Sequence, residues 1–145
     1  MKRQEKYKDT QTFHFHNQNP KGKYTTDCVK RAISHATGIV YNHVVRELAE
    51  WQIRTGLDEG EKRLYGKYLA SVGWVQHPQP RKEDGTKFTG VDFCKWLNKT
   101  HCSSNVIANI GGHHIVAIVP VDGKFKVCDT WNSTKGCIGN YWTKG

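Results

Sequence analysis

At 145 residues, with 37% hydrophobic and 11% aromatic side chains, the chain has the size of one compact domain with a modest core, which argues against several domains or wholesale disorder. A formal charge of +9 makes the surface attractive to polyanions, yet no RNP-like motif, basic helix or helix-turn-helix pattern accompanies that charge. No apolar run approaches the roughly 18 residues of a membrane span and the charged start lacks a signal-like apolar core, so a cytoplasmic protein without membrane contact is expected.

Met1 to about Thr10 is basic and poor in apolar residues, and is expected to be a flexible tail on a single domain spanning 1–145. Asn17 to Lys23 is a loop punctuated by Pro20 and Gly22, after which Thr25, Thr26 or Asp27 can cap a helix from about Cys28 to Thr37, ended by Gly38. A second helix, about Tyr41 to Thr55, spaces Val44, Val45, Leu48, Trp51 and Leu57 on one face, with Gly56 as its stop. A third, about Glu59 to Val72, turns Leu64, Tyr65, Tyr68, Leu69 and Val72 inward.

Trp74 to Gly85 is extended or loop, because Pro78, Pro80 and Gly85 interrupt it. Thr89 then caps a short helix whose apolar positions are Val91, Phe93, Cys94, Trp96 and Leu97. Strands follow at about Ser104 to Ile110, His114 to Val119, Gly123 to Cys128 and Asn140 to Trp142, with Asp122-Gly123 as a hairpin turn. Helices first and an antiparallel sheet afterwards predict an α+β fold.

Five cysteines, with no CxxC pair, fit reduced thiols better than a disulfide framework. Cys28 stands apart, because unpaired N–H groups and the helix dipole at a helix start favour a thiolate, whereas an ordinary free cysteine is a buried core filler. Two histidines, His113 and His114, open an apolar strand and point to opposite faces, so only one can meet Cys28; periodicity does not choose between them.

Asp129 lies 15 residues after His114, across the Asp122-Gly123 turn, where a carboxylate can accept the second ring N–H of a histidine. Asn132 is the nearest substitute for that role. Trp131 and Asn132 are candidates for a substrate groove; Trp131, Tyr141 and Trp142 can line a groove or cover an Asp–His bond, with core packing the favoured reading of each. His101-Cys102 and His113-His114 match no structural zinc spacing, and neither metal nor cofactor is expected.

The runs Asn19-Pro20-Lys21-Gly22, Asp27-Cys28-Val29-x-Arg31-Ala32-Ile33, Ala36-Thr37-Gly38, Gly112-x-His114-x-Val116-Ala117-Ile118, Asp122-Gly123 and Asp129-Thr130-Trp131-Asn132-Ser133 carry a resemblance. They resemble small papain-like cysteine peptidase proteins of bacteriophages and prophages, and more distantly the double-glycine leader peptidases. The resemblance implies a papain-like fold, N-terminal helices packed on a C-terminal antiparallel sheet. It selects His114 over His113, and implies Cys28 as nucleophile, His114 as general base and acid, and Asp129 as orienting group.

Papain-like enzymes supply an oxyanion-hole glutamine about six residues before the nucleophile; here that position is Gly22, and of the upstream amides Asn17, Gln18 and Asn19 the favoured candidate is Gln18, then Asn19. The function expected is hydrolysis of a peptide, isopeptide or side-chain amide bond, with transglutaminase-like acyl transfer as a variant outcome. The expected partner is a protein or peptide substrate, such as a host protein. A catalytically weak phage protein that binds a host protein or nucleic acid with the same fold is the alternative, with nucleic acid ranked below protein.

Overall fold

The computed structural model of the chain describes residues 6–145. Among the described residues, four long helices, α1 (Cys28–Thr37), α2 (Tyr41–Thr55), α3 (Lys62–Ser71) and α4 (Gly90–Lys99), combine with six strands in one sheet. The strands are β1 (Phe13–Phe15), β2 (Trp74–His77), β3 (Val106–Ile110), β4 (His114–Val121), β5 (Lys124–Asp129) and β6 (Ile138–Lys144), ordered β1-β5-β4-β3-β6-β2. The fold is α+β.

The sheet is mixed rather than antiparallel. β1 lies parallel to β5, pairing Phe13 with Val127 and Phe15 with Asp129, whereas the remaining pairs are antiparallel. The arrangement of helices differs from expectation as well. α1, α2 and α3 cover one face of the sheet through Ile107, Ile115, Ala117, Val119 and Trp142, but α4 packs Phe93, Cys94 and Leu97 on the opposite face against Val106, Ala108, Val116, Ile118 and Val127. Both faces are therefore buried, which is why the β4 sequence is apolar at successive positions instead of alternating with polar ones.

Local chemistry sets the boundaries. Gly38 and Gly56 end α1 and α2 at φ 77° and 72°, left-handed values that glycine adopts without a Cβ penalty. Asp122 and Gly123 both have positive φ, 53° and 82°, as a two-residue hairpin loop of the primed type requires, and they fix the β4–β5 register with Val121 opposite Lys124. Thr89 caps α4 by accepting from Asp92 N–H at 3.1 Å. Replacing Thr89 with alanine is expected to cost about 1 kcal/mol, read as a shift in urea midpoint at unchanged slope; an unshifted midpoint would show that the cap carries no stability.

The start of the chain is more structured than a tail. Lys6 O accepts from Asn132 N–H at 2.8 Å, and the Asp9 carboxylate accepts from Phe15 N–H at 2.8 Å and from His14 Nδ1 at 2.7 Å. The first part of the predicted tail, residues 1–5, lies outside the described residues. Among the described residues no helix is long and apolar enough to cross a membrane.

Candidate active site

The Asn17–Lys23 loop delivers the chain to α1. Asn19 opens a turn in which its Oδ1 accepts from Lys21 N–H at 2.9 Å and its carbonyl from Gly22 N–H at 3.0 Å, with Pro20 and left-handed Gly22 supplying the bend. Asp27 then occupies the N-cap position of α1 without capping it. Its buried carboxylate turns instead to Arg31 Nε at 2.8 Å, to the Tyr41 hydroxyl at 2.6 Å and to Asn19 Nδ2 at 3.0 Å. The first-turn N–H groups of α1, Cys28's among them, are left without a side-chain cap.

The antiparallel β4–β5 hairpin brings the first residue of one strand beside the last of the next. His114 Nε2 donates to Asp129 Oδ2 at 2.5 Å. The His114 side chain also lies close enough to Cys28 for each to shift the other's proton affinity, and Nδ1 is the ring nitrogen that Asp129 does not engage. His113, exposed, lines a different cavity, so the geometry separates the two histidines that strand periodicity left equivalent.

The other Asp129 oxygen, Oδ1, accepts from Arg31 Nη1 at 2.6 Å. Arg31, only 9% exposed, thus ties Asp27 and Asp129 together, and the polar chain runs Asp27, Arg31, Asp129, His114, Cys28. Sequence reasoning named Asp27 as a cap candidate and Arg31 only within the Asp27–Ile33 motif, and gave neither a part in the site. The signal available was their i,i+4 opposite charges on the first turn of a helix.

These contacts set the proton affinities. Burial works against a Cys28 thiolate, but hydrogen bonding to and charge on His114, the Ile115 backbone and the Arg31 charge outweigh it and hold the thiol below its ordinary value of 9.0. Burial likewise opposes an imidazolium, yet Asp129 and Cys28 together push His114 up to about 9. Asp129 is held below the usual carboxylate range against its own burial by His114, Arg31 and the Thr130 N–H. Cys94 and Cys128 show the contrast, since burial pushes each thiol up to about 12. A thiolate facing an imidazolium that leans on a carboxylate is a primed nucleophile with its acid already in place.

Other predicted site residues fall differently. Gln18 shares a small cavity of about 10 Å³ with Cys28, but its Nε2 donates to Ser34 Oγ at 3.0 Å and its Oε1 accepts from His16 Nε2 at 2.6 Å. Asn19 Nδ2 serves Asp27, so it stabilises the acidic end of the network rather than facing an oxyanion. Both upstream amides are engaged within the protein, and the uncapped first turn of α1 provides the donors nearest the sulfur.

Trp131 lies over the His114 ring, centroids 5.1 Å apart, and lines an open cavity with Tyr7, Phe15 and Tyr24. Asn132 holds a turn, its Oδ1 accepting from Thr134 N–H and Oγ1 at 3.0 and 2.5 Å, and does not line the cavity that Trp131 lines. Trp142 is core, 1% exposed, and Tyr141 packs against Phe93 and His77. Among the described residues no group of three His, Cys, Asp or Glu side chains is placed to hold a metal ion.

Comparison with protein-family models, curated proteins and solved structures yields no match for this chain. Its chemistry is argued from the residues above.

Proposed function

We propose that this protein is a papain-like thiol hydrolase acting on a peptide, isopeptide or side-chain amide bond. The observation that carries the reading is the convergence of Cys28, His114 and Asp129 from three separate elements, with His114 hydrogen-bonded to Asp129 and Cys28 beside the same ring. In the proposed reaction the Cys28 thiolate adds to the substrate carbonyl, and the oxyanion meets the uncapped N–H groups of α1. The C–N bond then breaks as His114 gives its proton to the departing amine, leaving a thioester on Cys28.

Water adds to the thioester with His114 accepting its proton, the acid is released, and the thiolate–imidazolium pair returns. An amine in place of water gives acyl transfer by the same steps. Asp129 keeps Nδ1 turned to sulfur and stabilises the imidazolium throughout.

Stoichiometric iodoacetamide at about pH 6 tests the nucleophile, because only a thiol with a lowered proton affinity reacts well there. Mass spectrometry should find the label on Cys28 first, with buried Cys94 and Cys128 unlabelled. Equal labelling of all five thiols would remove the nucleophile and the hydrolase with it.

A second reading, a binding protein built on the same fold, draws support from the engagement of Gln18 and Asn19 inside the protein. Cys28→Ala separates the two, since a binder keeps its effect and a hydrolase loses it.

A further inference from the structure

A second open cavity, of about 560 Å³, lies beside the catalytic line. Lys62, Gln79, Asn109, His113 and Asn140 form its polar wall, and no Asp or Glu side chain lines it. Two links tie it to the nucleophile. Tyr65, on the cavity wall, belongs to the packed cluster that Cys28 abuts, and Asn109, on the same wall, is the β3 register partner of Ile115, which lines the small cavity that holds Cys28. The Tyr65 phenol is pushed up to about 12, chiefly by burial and further by the charge of Cys28.

The wall is held by a relay of amides. Tyr65 hydroxyl donates to Asn109 Oδ1 at 3.2 Å, Asn109 Nδ2 donates to Asn140 Oδ1 at 2.9 Å, and Lys62 Nζ donates to that same oxygen at 3.0 Å. A lysine ammonium only donates, so this contact fixes which end of the Asn140 amide is oxygen. Asn140 Nδ2 is left buried with no acceptor, and Lys62 is steadied by an amide oxygen rather than neutralised by a carboxylate. The wall thus carries the positive charge of Lys62 with no carboxylate to neutralise it, while Gln79 Nε2 is spent on the Ile138 carbonyl at 2.9 Å. Part of it is bare backbone, since a Cβ added at Gly60 or Gly112 would meet nothing within 4 Å.

The direction of the substrate follows from the proton's route. The hydrolase reading puts the leaving amine on the His114 side, where the Trp131 ring packs with centroids 5.1 Å apart, and leaves the acyl portion on Cys28. We propose that the cavity is the acyl-side specificity pocket and takes the carboxylate side chain of a substrate glutamate or aspartate, with Lys62 as its counter-charge. This assignment rests on the hydrolase reading of the Cys28 site. It also fits a chain of net charge +9, which draws acidic segments toward its surface.

Peptidyl chloromethyl ketones that differ only in Glu, Gln, Lys or Leu next to the reactive group test it, with the rate of Cys28 modification in the full chain divided by the iodoacetamide rate. The Glu reagent should react about tenfold faster than the Lys reagent, and Lys62→Glu should reverse that order. Gly60→Phe, whose side chain grows into open space, should slow every peptide reagent while leaving the iodoacetamide rate unchanged. Equal Glu and Lys rates, or a preference for Leu, with normal iodoacetamide labelling of Cys28, would overturn the pocket and leave the hydrolase standing. Failure of Cys28 to react preferentially with iodoacetamide would instead overturn the hydrolase and the pocket together.

Discussion

Replacing His114 with alanine is expected to slow the reaction of Cys28 with iodoacetamide at about pH 6 by roughly one to two orders of magnitude. The loss has a single cause. His114 makes the largest contributions that oppose burial of the thiolate, and without them only the Ile115 backbone and the Arg31 charge are left against it, so the neutral thiol is favoured. Asp129→Asn should give a smaller loss, because an amide still orients the ring but no longer stabilises the imidazolium as a carboxylate does.

The pH dependence follows the same groups. Alkylation should begin below the usual thiol range on the acid side. Acyl transfer, which also needs the proton on His114, should fall again as pH rises through about 9. A His114→Ala chain that keeps the wild-type alkylation rate at about pH 6 would show that the helix tip, and not the imidazole, activates the thiol.

The second large effect is on stability. Arg31→Met should cost about 3–5 kcal/mol, because it removes the shared cation from two buried carboxylates, leaving Asp27 without a charge partner and Asp129 with His114 alone. Asp27 is 4% exposed and Asp129 2%, so water cannot take over the role of the guanidinium without opening the sheet end. Arg31→Lys should recover only part of the loss, since one ammonium cannot reproduce the Nε contact to Asp27 and the Nη1 contact to Asp129 together.

The sign with pH is fixed by the carboxylates. Both have folded-state values below the ordinary 3.8, so their contribution is present above about pH 4 and is lost as pH falls through those lower values. Denaturant melts of wild type and Arg31→Met across the acid range give the measurement. A cost under about 1 kcal/mol near neutrality would place the network in effective contact with solvent.

Much of this architecture was legible in local chemistry. α1 and α2 begin and end where the Asn-Pro-Lys-Gly loop, Gly38 and Gly56 require, and the β4–β5 hairpin follows from two adjacent residues that tolerate positive φ. β1 was not legible, because Phe13-His14-Phe15 is too short for a periodic signal and its partner β5 is more than 100 residues away in the chain. That one parallel pairing makes the sheet mixed, and it places the β1–α1 loop beside Asp129, where His16 N–H donates to the Asp129 carbonyl at 2.8 Å.

The site divides in the same way. Cys28 at a helix start and Asp129 beyond a hairpin are features of spacing, and spacing is visible in a sequence. Arg31 bridging to Asp129 is a contact between residues 98 apart, and nothing local announces it. Asp27 misled for a clear reason: an acidic residue before a helix is ordinarily a cap, whereas here the competing partners Arg31, Tyr41 and Asn19 take all of its hydrogen-bonding capacity. Trp142 could not be told from a groove aromatic until the α3 face, with Tyr65 at a centroid distance of 5.7 Å, was seen to close over it.

The most direct test is an ultraviolet titration of thiolate absorbance, taken as the difference between wild type and Cys28→Ser, in otherwise native and His114→Ala backgrounds. The thiolate–imidazolium pairing predicts a step below 9.0 that moves upward when His114 is removed. A step at or above 9.0 that ignores His114 would contradict it.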